Sequence, residues 1–295
     1  MIDISIIIVS FNTKKYTLDT ISSVIKHIKI PYEIIVVDNN STDGSRQALA
    51  KLKNIKLIAE KSNRGFGAAN NLAAATATGK YLLFLNSDTL LENDAVSHAV
   101  DYLQKHPQTG AYSVRLSNPD GSTQASGGYS PTLSRVLNWQ LGLDDLPIIS
   151  KFFKPIHPHL WFYNQKRELD WITGAFLMIP KKIFDKVSGF DEKMFMYAEE
   201  LELCYRIKNL NKKIIYDPST SIIHYGGASS GSINSLVWEA KGIVYFFQKH
   251  KPAWQLPLIK LAFLKGSLLR LLLFGIILGK TSKRTAYAQI IKDLF

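Results

Sequence analysis

The sequence predicts an α/β fold: a Rossmann-like, mainly parallel sheet flanked by helices, followed by a helical C-terminal extension. Three observations carry this expectation. Four short apolar or β-branched runs recur in the first 90 residues, separated by segments that mostly fit helices. Carboxylates follow two of these runs, where ligands of open α/β sheets gather. Beyond about residue 234 the pattern becomes helical, apolar and rich in lysine.

The elements follow in order. Residues 4–9 form a β-branched run of the kind buried on both sheet faces. Residues 14–28 fit a helix, and Pro31 closes the connection. Residues 33–37 read as a second strand. The cluster Asp38-Asn39-Asn40-Ser41-Thr42-Asp43-Gly44 is a turn that feeds a helix over about 45–52. Residues 55–58 are a third strand, 67–77 an alanine-rich helix, and 81–85 a fourth strand ending at Asn86-Ser87-Asp88. Units so spaced imply parallel strands with helices on both faces. The middle is less regular. Residues 117–131 read as a loop or hairpin, and 144–168 have no clear period. Residues 171–179 predict a strand, a short helix starts at Pro180, a helix covers about 197–208, and 213–216 form a strand. Gly226-Gly227-Ala228-Ser229-Ser230-Gly231 reads as a flexible loop. The expected division is a domain over 1–233, in halves of about 1–115 and 116–233, and an extension over 234–295.

The 295 residues are 46% hydrophobic and 20% charged, a globular balance. A lone Cys204 excludes an intrachain disulfide and fits a reducing cytoplasm. No basic segment or small-residue cleavage site precedes the run at Ile4, so no secretory signal is expected. The net charge is +12, and the last 45 residues carry eight basic side chains against Asp293 alone.

Several residues are candidates for chemistry. Asp38 can hydrogen-bond a ribose or base, or can simply cap its turn. Asn63-Arg64-Gly65-Phe66-Gly67 is a helix start that favours an anion, or a turn before a packing helix. Asp88 can reach a hard cation that bridges two phosphates, or serve as a turn residue. Glu199 and Glu200 open a helix and cannot share one face, so one can meet a cleft as a general base. Acidic residues are also favoured in any first helical turn. Glu202 and Arg206, four apart, fit an ion pair. His224 follows an apolar strand, where it is a pocket-closing or a structural residue.

Taken in order, Ile8-Val9-Ser10-Phe11-Asn12, the Val37–Gly44 cluster, Asn63-Arg64-Gly65-Phe66-Gly67, Leu85-Asn86-Ser87-Asp88, Thr173-Gly174-Ala175-Phe176, Gly189-Phe190-Asp191-Glu192 and the 199–206 segment resemble family 2 glycosyltransferases of the GT-A fold. The resemblance covers about residues 3–232 and is strongest to bacterial rhamnosyltransferases that build surface polysaccharides on lipid carriers. It implies a nucleotide-sugar half and an acceptor half. Phe11, Asp38, Asn39, Arg64 and Ser87 would bind the donor, a dTDP- or UDP-sugar. Asp88 and His224 would hold a divalent metal, Mg2+ or Mn2+. Trp171, Gly174 and Ala175 would face a polyprenyl-diphosphate-linked acceptor. Glu200 takes the place of the family's base, usually an aspartate, with Glu199 as competitor. Asn86 stands where the first acidic residue of the family's DxD-like motif would be. The implied reaction is an inverting single displacement.

The tail from 256 to 279 is the most apolar stretch, yet Lys260, Lys265 and Arg270 interrupt it. Its longest charge-free run, 271–279, is too short to span a bilayer. It fits helices lying in a membrane interface, with basic side chains near anionic headgroups, on the cytoplasmic face. It also fits helices that pack on the catalytic domain or form a homodimer contact. Few aromatics interleave its charges, which argues against nucleic acid. Two rivals stand beside the transferase reading. A catalytically inactive assembly protein at the membrane would not require Asp88, Glu200 and His224. A nucleotidyltransferase would show a glycine- and lysine-rich phosphate loop near the first strand, which this sequence lacks.

Overall fold

A computed structural model of the chain describes residues 2–145, 154–226, 232–277 and 281–294. The chain forms two compact units. The first holds Met1–Gly127, His159–Phe195 and Glu200–Ser229; the second holds Gly128–Pro158, Met196–Glu199 and Ser230–Phe295.

Among the described residues, nine strands of the first unit form one sheet. They are β1 (Ile4–Ser10), β2 (Tyr32–Asp38), β3 (Lys56–Ala59), β4 (Tyr81–Asn86), β5 (Thr89–Leu90), β6 (Thr109–Ser117), β7 (Arg167–Leu169), β8 (Phe176–Pro180) and β9 (Lys213–His224). Their order is β3-β2-β1-β4-β8-β6-β9-β5, and β7 also pairs β9. β1 to β4 run parallel where they pair, as do β6 and β9. β8 is antiparallel to both β4 and β6, and β5 and β7 are antiparallel to β9.

Helices cover both faces. Ile6, Ile8, Val36, Leu83 and Leu85 share a buried cluster with Ile21 and Val24 of the helix Lys14–His27 and with Val96 and Val100 of the helix Ala95–Lys105. Asp94 caps the latter helix, its side chain accepting the Ser97 amide at 3.0 Å. On the other face Phe84 packs edge-on or tilted against Phe184 and Phe190, each at 5.0 Å between centroids. Ala68, Ala69 and Ala73 of the helix Phe66–Ala74 are buried, and that helix lies against β1 and β2.

The structure departs from the sequence expectations in places with physical causes. The strand expected over 171–179 is two pieces, Trp171–Ile172 and Phe176–Pro180. Thr173 donates to the Ser126 carbonyl while the Ala175 carbonyl accepts from Asn86, so the chain changes partners at Gly174. The strand expected over 213–216 runs twelve residues, to His224. Its register against β6 jumps between Asp217 and Ser221, a bulge that accommodates Pro218. The helix expected from 197 begins at Glu199, because Tyr197 (φ 65°) and Ala198 (φ 68°) are left-handed. Helices at Ala95–Lys105 and Leu133–Gln140 and the strand β6 were not anticipated. Of the glycine-rich loop, only Gly226 lies within the described residues.

The second unit is helical. Helices Leu133–Gln140, Ser232–His250, Gln255–Arg270 and Thr281–Leu294 pack together, with a π-helical stretch Leu271–Ile277 between the last two. Trp139 meets Phe263 edge-on at 5.8 Å, and Lys241 pairs Asp293 at 2.6 Å. Arg270 was expected near lipid headgroups. Instead its guanidinium donates to the Gln140 carbonyl at 2.7 Å and to the Trp139 carbonyl, at the C-terminal end of Leu133–Gln140. A cation is favoured there by the helix dipole and the unpaired last carbonyls.

The bulge in β9 generates a pH prediction. Asp217, buried beside it, pairs with Lys166 at 2.7 Å and accepts the Ser219 amide at 3.1 Å. Burial opposes its charge, but hydrogen bonds from Lys166 and Ser219 outweigh burial and hold the carboxyl below its usual 3.8. A depressed folded pKa adds stability above the unfolded pKa, and that stability is lost as pH falls through the folded pKa. Asp217→Asn should therefore cost about 1–2 kcal/mol at neutral pH, Lys166 being half exposed. The gap should close on acidification below the carboxylate range. Urea melts at several pH values check this; a gap that is constant with pH contradicts it.

Candidate active site at the carboxyl ends of the strands

The parallel strands β1, β2 and β4 end in the same direction, at Ser10, Asp38 and Asn86. β9 brings a fourth group to that edge. Its last residues pair antiparallel with β5, Ile223 opposite Leu90 and His224 opposite Thr89, and the Tyr225 amide donates to the Asp88 carbonyl at 2.9 Å. The His224 ring thus stands over the Asn86-Ser87-Asp88 turn. Its Nε2 lies 3.3 Å from Asp88 Oδ1 and 3.2 Å from Asn86 Nδ2. Both Asp88 and the imidazole are largely buried, with side chains 8% and 14% exposed.

The turn is held from beneath by buried hydroxyls. Ser87 Oγ bonds Thr13 Oγ1 at 3.0 Å, and Thr20 Oγ1 donates toward the carbonyls of Ser87 and Thr89 at 2.9 and 2.7 Å. Ser10, Thr13 and Thr17 complete the network. These polar groups sit in the core only because each finds a partner.

Asp38 is fully buried at the end of β2. Its Oδ2 takes Arg46 Nε at 3.1 Å, and Arg46 also donates to the Glu60 carbonyl. Among the described residues Oδ1 of Asp38 has no hydrogen-bond partner. A buried carboxylate oxygen left unpaired costs about 1–3 kcal/mol, so this atom is suited to accept a ligand's N–H or O–H. Half-buried Phe11 follows β1 beside it in sequence order. Asn39 and Arg64, both expected at the donor, also make internal contacts. The Asn39 amide donates to Asn63 Oδ1 at 2.8 Å, and its Oδ1 accepts the Arg64 amide at 3.0 Å. Asn39 thereby pins the 63–65 loop. The Arg64 guanidinium pairs Glu192 at 3.2 Å, on a groove also lined by Ala68, Asn71 and Phe184. That groove contains none of Asp38, Asp88, Glu200 or His224.

Two glycines let this loop touch the segment ahead of the acidic helix. Gly65 (φ +82°) lies where a Cβ would be 2.2 Å from the Phe195 carbonyl oxygen, and that oxygen accepts the Phe66 amide at 2.9 Å. At Gly174 a Cβ would meet the Phe66 ring at 2.7 Å. The Gly174 amide donates to Glu200 Oε1 at 3.3 Å. Glu199 is buried, whereas Glu200 is partly accessible. Ala175 is buried in the sheet, where its carbonyl serves β4, and Trp171 is half buried. Glu202 and Arg206 form an interior pair, with Arg206 also donating to the Val187 and Gly189 carbonyls. The pair anchors the helix Glu199–Lys208 to the turn before Phe190.

Two of these residues escaped sequence reasoning. Arg46 carries a usable signal: a cation in the first turn of a helix opposes the dipole and calls for a carboxylate nearby. Gln124 carries none. It sits in the irregular 117–131 segment, yet its Oε1 is 2.8 Å from His224 Nδ1 and its Nε2 donates to the His224 carbonyl at 2.6 Å.

The family model of glycosyl transferase family 2 matches residues 5–186, most of the first unit. This chain is a family 2 glycosyltransferase. It is 25% identical over 249 residues to an N-acetylglucosaminyl-diphospho-decaprenol L-rhamnosyltransferase of Mycobacterium tuberculosis, covering 77% of this chain and 78% of that one. It is 26% identical over 234 residues to rhamnosyltransferase WbbL of Escherichia coli, covering 75% and 83%. Among solved structures, a mannosyltransferase of Pyrobaculum calidifontis in complex with GDP-Man and Mn2+ superposes with a TM-score of 0.57 at 17% identity, over 99% of this chain and 84% of that one. GalNAc-T7 with UDP, GalNAc and Mn2+ gives 0.59 at 16% identity, over 89% of this chain and about half, 54%, of that one. These likenesses establish the GT-A fold. The glycosyltransferase thus resembles bacterial rhamnosyltransferases in sequence and sugar-nucleotide enzymes in fold.

Proposed function

We propose that this glycosyltransferase moves L-rhamnose from dTDP-rhamnose to a lipid-linked saccharide in surface polysaccharide synthesis, with inversion and with a divalent metal. The observation that carries the reading is the Asp88–His224 pair beside the carboxyl end of β4. A carboxylate and an imidazole with a lone pair between them suit Mg2+ or Mn2+. Among the described residues no three His, Cys, Asp or Glu side chains converge. Two protein donors leave positions for diphosphate oxygens and water, the usual arrangement for a metal that bridges phosphates. Held by Asp88 and His224, such a metal would supply charge neutralisation for the leaving nucleoside diphosphate. Asp38 Oδ1 accepts the N3–H that thymine or uracil presents, with Arg46 fixing the carboxylate. Phe11 flanks the base, and Ser87 reaches the ribose. Asn39 and the Arg64 main chain act by holding the loop that closes this pocket.

Glu200 is the general base. The residue is partly accessible and its Oε1 accepts the Gly174 amide at 3.3 Å, which orients the carboxylate to take the acceptor hydroxyl's proton as the hydroxyl oxygen attacks the anomeric carbon. Trp171 and Gly174 form the acceptor side, with Ala175 buried behind them. The relatives' names support rhamnose and a polyprenyl-diphosphate acceptor, since both proteins are named rhamnosyltransferases, one an N-acetylglucosaminyl-diphospho-decaprenol L-rhamnosyltransferase. Glu200→Gln should lower transfer by roughly 100- to 10,000-fold and leave dTDP affinity unchanged. Glu199→Gln should retain transfer. The reverse pattern, measured by radiolabelled transfer and calorimetry, assigns the base to Glu199. A wild-type protein that neither transfers nor hydrolyses any sugar nucleotide supports the inactive assembly reading.

An acceptor in the bilayer calls for a membrane-facing surface, and the second unit offers one. No helix among the described residues is long and apolar enough to cross a membrane. Leu258, Leu261, Leu268, Leu269, Leu272 and Leu273 nonetheless share one exposed face of the segment 255–273, while Ile259, Ala262, Phe263 and Gly266 face inward. Lys265 lies within that exposed face and Arg284 is exposed on the next helix. An apolar stripe that carries Lys265, with Arg284 exposed on the next helix, complements an anionic lipid surface, at the inner face of the cell membrane. Leu261→Glu with Leu268→Glu should abolish binding to anionic vesicles while melting temperature and donor hydrolysis hold. Vesicle binding that survives in this variant rejects the face. A mass doubling that the variant removes, with no vesicle binding by the wild type, assigns it to a homodimer instead.

A further inference from the structure

The turn that follows β6 holds a chain of hydrogen bonds whose direction is determined at both ends. Its outer end is Asp120, whose carboxylate accepts the Ser122 hydroxyl at 2.6 Å and the Ser122 amide at 2.9 Å. Those two bonds hold the Asp120 carboxyl below its usual range, so it is an acceptor only. With its one proton committed to Asp120, Ser122 Oγ must accept from its other neighbour, Asn118 Nδ2 at 2.8 Å. That orients the Asn118 amide, and its Oδ1 faces Gln124 at 2.6 Å. Gln124 must present its NH2 to this oxygen. The same NH2 donates to the His224 carbonyl at 2.6 Å, which as a main-chain oxygen is also an acceptor only. Turning the Gln124 amide over would set its oxygen against two oxygens. Its Oε1 therefore faces His224 Nδ1, 2.8 Å away.

We infer that Gln124 is a positioning residue that locks neutral His224 in the Nδ1–H tautomer and aims its Nε2 lone pair at Asp88. An acceptor opposite Nδ1 places the ring proton there, since the hydrogen bond made by one ring nitrogen decides the state of the other. On the far side of the ring, Asn86 Nδ2 approaches Nε2 at 3.2 Å, a donor meeting a lone pair. The tautomer matters because only an unprotonated Nε2 can donate to a cation beside Asp88 Oδ1. With the proton on Nε2 the ring would instead hydrogen-bond that carboxylate and occupy it. Gln124 also clamps the ring and main chain of one residue together, which fixes the angle of the imidazole as well as its proton. Asn118, Ser122 and Asp120 thus reach His224 through Gln124.

This inference rests on the metal-site reading for its purpose but not for its test. The readout is the side-chain 15N spectrum of His224 in metal-free, full-length protein, at a pH above the histidine range. The wild type should show a protonated Nδ1 and a bare Nε2. Gln124→Leu should shift the ring toward the Nε2–H form that free imidazole prefers. A wild type already in the Nε2–H form overturns the inference, whatever the variants do. So does a folded Gln124→Leu protein with an unchanged ring. The second measurement is dTDP binding with and without Mn2+. Gln124→Leu should weaken the Mn2+-dependent part by roughly 10–100-fold and spare metal-free binding. A ring that switches tautomer while Mn2+-dependent binding stays unchanged upholds the role of Gln124 and rejects His224 as a metal donor.

Discussion

The short antiparallel contact between the end of β9 and β5 is the constraint on which the site depends. It places His224 opposite Thr89 and ties the Tyr225 amide to the Asp88 carbonyl. Asn86 and His224, 138 positions apart in the chain, become hydrogen-bonding neighbours. β9 can reach that far only because it continues past Pro218 through a bulge, which Asp217 and Lys166 close. From the other side, Thr13 and Thr20 hold the Ser87–Thr89 turn against the helix Lys14–His27. A turn braced from below and a strand end clamped above leave the Asp88 carboxylate and the imidazole little freedom, as a pre-organised ligand pair requires.

A second set of contacts joins the 63–67 loop to the acidic helix. Gly65 admits the Phe195 carbonyl and Gly174 admits the Phe66 ring, so the 63–67 loop, the 173–175 turn and the segment before Glu199 fit together without room for a Cβ. The Glu202–Arg206 pair completes this by fastening the helix to the turn at 187–189. Removing one partner of such a buried pair costs about 3–5 kcal/mol, because the other charge is left stranded. The 63–67 loop and the helix Glu199–Lys208 therefore share one rigid framework. Substitutions at Gly65 or Gly174 would disturb both at once.

Much of this was legible in the sequence because it resides in local pattern. The β-branched runs mark the buried parallel strands, and carboxylates just after two of them mark the ligand edge. The order of weak motifs, more than any one of them, points to the family. What escaped was non-local. The twelve-residue β9 is broken by Pro218 and polar residues, and its pairing with β6, not its composition, makes it a strand. The helix Leu133–Gln140 has its stabilising cation, Arg270, 130 residues away. That same contact explains why Arg270 faces inward when periodicity alone left its side chain free to meet lipid. Asn39 and Arg64 stand out in the sequence through their motifs, but only the hydrogen bonds reveal that Asn39 holds the 63–65 loop in shape. Gln124 shows the limit most clearly: a glutamine in an aperiodic loop has no sequence signal until its partner is known.

The account stands on Asp88 and His224 meeting the donor diphosphate through a metal. Crystals of the protein grown with dTDP and Mn2+, measured at the manganese edge, test this directly. The predicted result is an anomalous peak bonded to an Asp88 carboxylate oxygen, His224 Nε2 and the diphosphate, with the thymine N3–H on Asp38 Oδ1. Manganese bound elsewhere, or a diphosphate seated away from the β4 carboxyl end, would contradict it.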